Sequence, residues 1–174
     1  MKIRKLSIVT AMLLSAFVLA GFVYAHWSKI VTIEGTIETG TYNVGFGPTL
    51  IISDNEFEKD VGNVTAGLID IDNDGVYDEI NVTIDNAYPC YEAYIDCFIH
   101  NYGSIPAKIQ DITVNAPSEL TVEINWFIYE GMQIDPEDEV MAEISVHVEQ
   151  SADQGSTYTF TGTIDTIQWN EYTP

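Results

Sequence analysis

The sequence predicts an all-β domain, a jelly-roll-like two-sheet β-sandwich, behind a secretory leader. Three observations carry this expectation. Thr, Val, Ile and Tyr dominate the chain beyond residue 25, and these residues suit a pleated, half-buried surface. Apolar and polar residues alternate there over many short segments, while no long stretch keeps the 3.6-residue period of an amphipathic helix. Turn residues interrupt the alternation often, as in a sandwich of many short strands.

The leader comes first. Lys2, Arg4 and Lys5 form a basic n-region, residues 6–24 carry no charge, and Val23-Tyr24-Ala25 ends the run with residues a signal peptidase reads. Cleavage is expected after Ala25. The chain then divides into a signal peptide (1–25), an N-terminal strand (26–38) and the sandwich domain (39–174). An uncharged run of ~20 residues also has the length of a bilayer span, so a retained anchor is the alternative. In both cases the rest of the chain is expected outside the cytoplasm, with the membrane met only through the leader.

Val31, Ile33 and Ile37 share odd parity, whereas Tyr42, Val44 and Phe46 share even parity, with Thr39-Gly40 between. A one-residue shift sends every side chain to the other face, so one straight strand cannot use both sets. Two strands are expected: a leading arm over 26–38, with Trp27, Ile30, Val31, Ile33 and Ile37 as its apolar residues, and a first domain strand from Thr41, with Thr39-Gly40 as the hinge. A strand at a free end can pair with an open sheet edge on another molecule, a head-to-tail contact that generates filaments; the plainer reading is an ordinary first strand of the sandwich.

Further strands are expected over 42–46, 50–53, 67–71, 79–84, 91–99, 107–114, 120–128, 140–148 and 158–169. The two clearest, 120–128 and 140–148, alternate cleanly and enclose turn chemistry at Glu130-Gly131 and Asp135-Pro136, so they are expected to be antiparallel neighbours. In the last, Tyr158 and Phe160 have one parity and Ile167 and Trp169 the other, which predicts a bulge or bend near Gly162.

Removing residues 1–25 leaves 149 residues, enough for one core. All 27 carboxylates lie in that part, against Lys29, Lys59 and Lys108, a net charge of −24. Such a chain repels phosphate backbones and offers no basic groove, which excludes nucleic acid as a partner. The acidity suits solubility in salty or calcium-rich surroundings, or cation binding at the surface. Subunits this acidic assemble only with screening salt, bridging cations or strong apolar contacts.

Asp70-Ile71-Asp72-Asn73-Asp74-Gly75-Val76-Tyr77-Asp78-Glu79 reads as the start of a calcium loop. Asp70, Asp72, Asp74 and Asp78 fall at positions 1, 3, 5 and 9, Gly75 at 6, and Val76 at the position that offers its carbonyl. Position 12 is Asn81 rather than Glu, which leaves Glu79 as the substitute ligand; strands, not helices, flank the loop. An Asx-rich hairpin turn fits the same residues. Cys90 and Cys97 are expected to form a disulfide in an oxidising compartment, and Asn63 and Asn81 begin N-glycosylation patterns. His26, His100 and His147 are scattered, and no nucleophile or metalloprotease motif occurs. The chain reads as neither an enzyme nor a binder of small-molecule substrates, and its three Trp residues read as core or subunit-interface anchors.

Ala25-His26-Trp27-Ser28, Gly35-Thr36, Thr39-Gly40-Thr41-Tyr42, Asn101-Tyr102-Gly103-Ser104-Ile105-Pro106-Ala107 and Gln168-Trp169-Asn170, in that order, resemble secreted fibre proteins of the TasA/camelysin type and the archaeal bundling pilins. The resemblance implies a jelly-roll subunit that polymerises with itself by donor-strand complementation, bundles laterally, and serves biofilm matrix and cell adhesion. By position, the donor strand would lie within 26–38. The protease activity linked to camelysin-type members does not carry over, because its motif is missing. The competing expectation is a monomeric calcium-binding adhesion domain at the cell surface or S-layer.

Overall fold

The computed structural model describes residues 2–23, 29–58, 60–125 and 127–173. The chain divides into two compact units, Met1–Glu38 and Thr39–Pro174. In the first, α1 (Lys2–Val23) covers the segment expected to be a leader. Its Leu, Ala and Met residues favour a helix, and it exposes apolar side chains from Leu6 to Leu19 rather than burying one stripe. Among the described residues no helix is long and apolar enough to cross a membrane. Ala25, His26 and Trp27, and with them the expected cleavage point, lie outside the described residues.

Residues 29–38 belong to no helix or strand. Over its described part, 29–38, the strand expected over 26–38 is therefore not formed within this chain, because a strand is defined by ladder bonds to a neighbour and none of the described ladders includes these residues; the rest of that expected strand lies outside the described residues.

The second unit is all-β. Its strands are β1 (Val44–Asp54), β2 (Asn63–Ile69), β3 (Glu79–Asp85), β4 (Glu92–Asn101), β5 (Ala107–Asn115), β6 (Leu120–Asn125), β7 (Gln133–Ile134), β8 (Glu139–Val148) and β9 (Thr161–Gln168). They form three antiparallel sheets, ordered β1-β4-β8-β6, β2-β3 and β7-β5-β9. Strand β4 is the spine. Ala93, Ile95, Cys97, Ile99 and Asn101 are buried on one face, and the residues between them are half-buried on the other, as period-two alternation requires.

The buried face of the four-stranded sheet is covered in two parts. Cys97, Ile99 and Ala142 pack with Ile109, Ile128 and Ile134 of the three-stranded side, together with Ile112 and Ile164. Farther along β4, Tyr91 and Ala93 join Val148 in a second cluster, against which Val64 and Ile84 of the β2–β3 hairpin and Leu120 pack. Strand β9 runs across this sheet. Near its start a Cβ on Gly162 would lie 2.5 Å from Ile124 of β6, and farther on Ile164 and Thr166 stand with Val44 and Phe46 of β1.

Several boundaries differ from expectation. The segments 42–46 and 50–53 are one strand with a bulge: Phe46 pairs with Ile99 and Leu50 with Cys97, so Gly47-Pro48-Thr49 oppose Phe98 alone. A proline without a donor is tolerated there because β1 is an edge strand. The segment 67–71 moves to Asn63–Ile69, since Asp70 and Ile71 belong to the acidic loop. Strands β6 and β8 are antiparallel neighbours as expected, with Leu120 opposite Val148. They are not a simple hairpin, because the intervening chain supplies β7 to the other sheet. Strand β6 ends at Asn125; Ile128, which alternation assigned to it, is buried in the core, and Trp126 lies outside the described residues. The irregularity expected at Gly162 sits instead in β5, where Ile109 pairs with Thr166 and Asp111 with Asp165, leaving Gln110 extra. Strand β9 starts only at Thr161, so Tyr158 and Phe160 precede it and never had to share its parity.

Candidate assembly surface and metal loop

Ile30, Val31, Ile33 and Ile37 are 89%, 78%, 93% and 90% exposed. Four aliphatic side chains on one ten-residue segment, all in water, go against the burial that drives folding. The chain from Thr41 onward, by contrast, is firmly held. Thr41 N donates to Ser104 Oγ at 2.9 Å, Ser104 N to Thr41 O at 2.9 Å and Gly103 N to Asn43 O at 3.0 Å. The loop after β4 thus clamps the start of the domain.

Asn101 organises that loop. It is fully buried, its Nδ2 donates to Ile105 O at 2.9 Å and Ile134 O at 3.0 Å, and its Oδ1 accepts from Gly103 N at 2.9 Å. A Cβ on Gly103 would come within 2.5 Å of Thr41 O, so only glycine permits this approach. Gly40 plays a similar part: a Cβ there would meet Ile105 Cγ2 at 2.4 Å. The expected hinge glycine therefore serves close packing rather than a left-handed turn. In the sequence, Asn101 to Ala107 stood out only through the family resemblance; the local signal for a clamp was an Asn two residues before a Gly-Ser pair.

Between β1, β4 and β9 lies a cleft of about 110 Å3, lined by Val44, Gly45, Phe46, Asp78, Ile99, Ile164 and Thr166. Tyr42 Oη donates to Thr166 Oγ1 at 2.6 Å beside it. Among the described residues, β9 has no ladder partner on its outer side, and neither does β3 on the side away from β2.

The acidic loop joins β2 to β3. Asp70 Oδ1 accepts from Asn73 N at 2.7 Å and its Oδ2 from Gly75 N at 3.0 Å, while Asp78 Oδ2 accepts from Ile71 N at 2.7 Å. Asn73 and Gly75 take positive φ, 62° and 93°, which lets the chain turn tightly enough for these bonds. Oxygens of Asp70, Asp72 and Asp78 lie within 4.8 Å of one another, a set of hard donors that could hold a metal ion.

The other expected carboxylate ligands, Asp74 and Glu79, are not in that cluster. Asp74 turns away, its Oδ1 accepting from Val76 N at 2.8 Å and its Oδ2 from Asn43 Nδ2 at 3.3 Å. The Val76 side chain is buried against Gly45, and Glu79 opens β3 on its exposed face.

The expected disulfide is not formed: Cys90 and Cys97 are both free thiols. Cys90 occupies the turn before β4 at φ 66°, whereas Cys97 faces the core in mid-strand. The five residue steps from Glu92 to Cys97 alone span ~16 Å of extended chain, beyond the ~7 Å that a disulfide bridges. Burial pushes the Cys97 thiol up to about 12. Asn63 and Asn81 both stand exposed on the polar face of the β2–β3 hairpin.

No family model, curated protein or solved structure matches this chain.

Proposed function

We propose that the protein is the structural subunit of an extracellular filament, exported by its leader and polymerised when the arm of one copy completes a sheet of the next. The observation that carries this reading is the arm itself: four aliphatic side chains at 78–93% exposure on a segment without ladder partners. Burying the three of one parity, Val31, Ile33 and Ile37, in a neighbour is worth ~1.5–3 kcal/mol each, on the order of 5–9 kcal/mol together. Association costs ~4–15 kcal/mol, so side-chain pockets and main-chain bonds are both needed. In this reading each subunit is a jelly-roll-like sandwich completed in trans, with Thr39-Gly40 as the joint between donor and domain. Lateral bundling then serves biofilm matrix and cell adhesion.

Replacing Ile33 with Asp places a charge where the neighbour's pocket is apolar. Filaments should be lost while the domain's circular dichroism is kept; filaments of normal length from that variant would refute the reading.

The convergence of Asp70, Asp72 and Asp78 favours a second reading, a monomeric calcium-binding surface or S-layer-associated domain. The two share the loop and differ in whether the arm pairs with another copy. In both, bound calcium offsets the repulsion among these carboxylates; in the filament it also neutralises Asp78, which lines the cleft.

A further inference from the structure

We propose that the outer edge of β9 is the acceptor, and that residues 30–37 of a second copy add to it as a new edge strand alongside Thr161–Gln168. The proposal rests on the donor-strand reading and names the surface that reading lacks. Among the described residues, the sheet β7-β5-β9 ends at β9 with no ladder on its outer side, and Ile164 and Thr166 of β9 line the cleft with Val44, Phe46 and Ile99 as its apolar walls and Asp78 as its charged member. An added strand is held by main-chain bonds to the edge and by side chains entering such a cleft.

The chain's other long edges serve less well. Strand β1 carries the Pro48 bulge, and its outer side is engaged where Phe46 N donates to Tyr77 O at 2.7 Å. Beside β5, the position occupied by β7 is extended by Gly131 N donating to Ile109 O and Ile109 N to Met132 O. Among the described residues, β9 combines a free edge of eight residues with the cleft.

The arm matches this edge in length and pattern. Residues 30–37 equal β9 in number, and Val31, Ile33 and Ile37 share one parity, with Gly35 in the same row. Turned inward, that row faces the side of β9 occupied by Ile164 and Thr166, and leaves Thr32, Glu34 and Thr36 outward beside Thr163 and Asp165. At about 110 Å3 the cleft is somewhat smaller than the ~150 Å3 apolar cavity that holds benzene, room for one branched aliphatic side chain. Every copy carries the same exposed arm, which makes a second copy the occupant.

Disulfide trapping tests the register, since Cα atoms must approach within ~7 Å. In full-length protein with Cys90→Ser, Glu34→Cys or Thr36→Cys is combined with Thr163→Cys or Asp165→Cys on β9, or with Thr121→Cys or Glu123→Cys on β6 for comparison. Mild oxidation during assembly should give a ladder of covalent oligomers, cleared by reductant, from at least one β9 pair and at most about a tenth as much from any β6 pair. Filaments whose arm links to β6, or to neither strand, would overturn the β9 assignment while leaving donor-strand assembly standing. Crosslinked monomer would overturn the second copy as occupant. Absence of both filaments and crosslinks would overturn the donor-strand reading as well.

Discussion

Asn101 is the residue whose loss should be felt most per atom removed. Its carboxamide satisfies Ile105 O, Ile134 O and Gly103 N, and Gly103 in turn donates to Asn43 O. Asn101→Ala removes three hydrogen bonds from a buried setting, with Asn43 O left as the acceptor for Gly103 N. At ~1 kcal/mol for each bond lost the cost is ~3 kcal/mol. A domain of this size loses ~4 °C of melting temperature per kcal/mol, so a fall of about 12 °C is expected. Asn101→Asp should be worse at neutral pH, because a carboxylate would face two carbonyl oxygens in place of donating to them. Thermal unfolding followed by circular dichroism checks both variants. A fall below ~4 °C for Asn101→Ala, or tolerance of Asp, would show that the network is not the organiser described here.

Three further outcomes are expected. Calcium at a hundredfold excess over its Kd should stabilise the protein by ~2.7 kcal/mol, and Asp72→Asn with Asp78→Asn should abolish the gain, whereas Asp74→Asn should spare most of it; a melting temperature indifferent to chelator leaves an Asp-rich turn and no metal site. Native protein should react with a maleimide at Cys90 only, and denatured protein under non-reducing conditions at both thiols; protection of both in the denatured chain would restore the disulfide. Burial pushes Cys97 from 9.0 and Tyr91 from 10.0 each to about 12, so the fold holds both neutral where the unfolded chain ionises them. That stability is complete below pH 9 and should be lost progressively as pH rises to 12; equilibrium unfolding that is flat across this window would contradict the burial.

Period-two alternation made most of this fold legible. Residues 120–124 and 140–148 lie on neighbouring strands because each alternates without interruption, and all-β character follows from the same pattern. Alternation misled where backbone geometry intervened. Pro48 split β1 into two apparent strands, and the apparent parity break near Gly162 arose because Tyr158 and Phe160 precede β9, while the bulge itself lies at Gln110 of β5. Two-residue β7 has no periodicity to read. The Cys90–Cys97 pairing failed for a related reason: nearness in sequence is distance in space along an extended strand. Of the acidic loop, spacing identified Asp70, Asp72 and Asp78 but could not reveal that Asn43 and Val76 N engage Asp74. The β9 cleft depends on three strands far apart in sequence and had no local signature.

The central claim is that residues 26–38 bind another copy. Electron microscopy of the chain beginning at His26, beside the same chain lacking residues 26–38, tests it most directly. The longer protein should form filaments in calcium and moderate salt, and the shorter one should remain monomeric with its β-sheet circular dichroism intact. Filaments from the shorter protein, or folded monomers alone from the longer one, would contradict the claim.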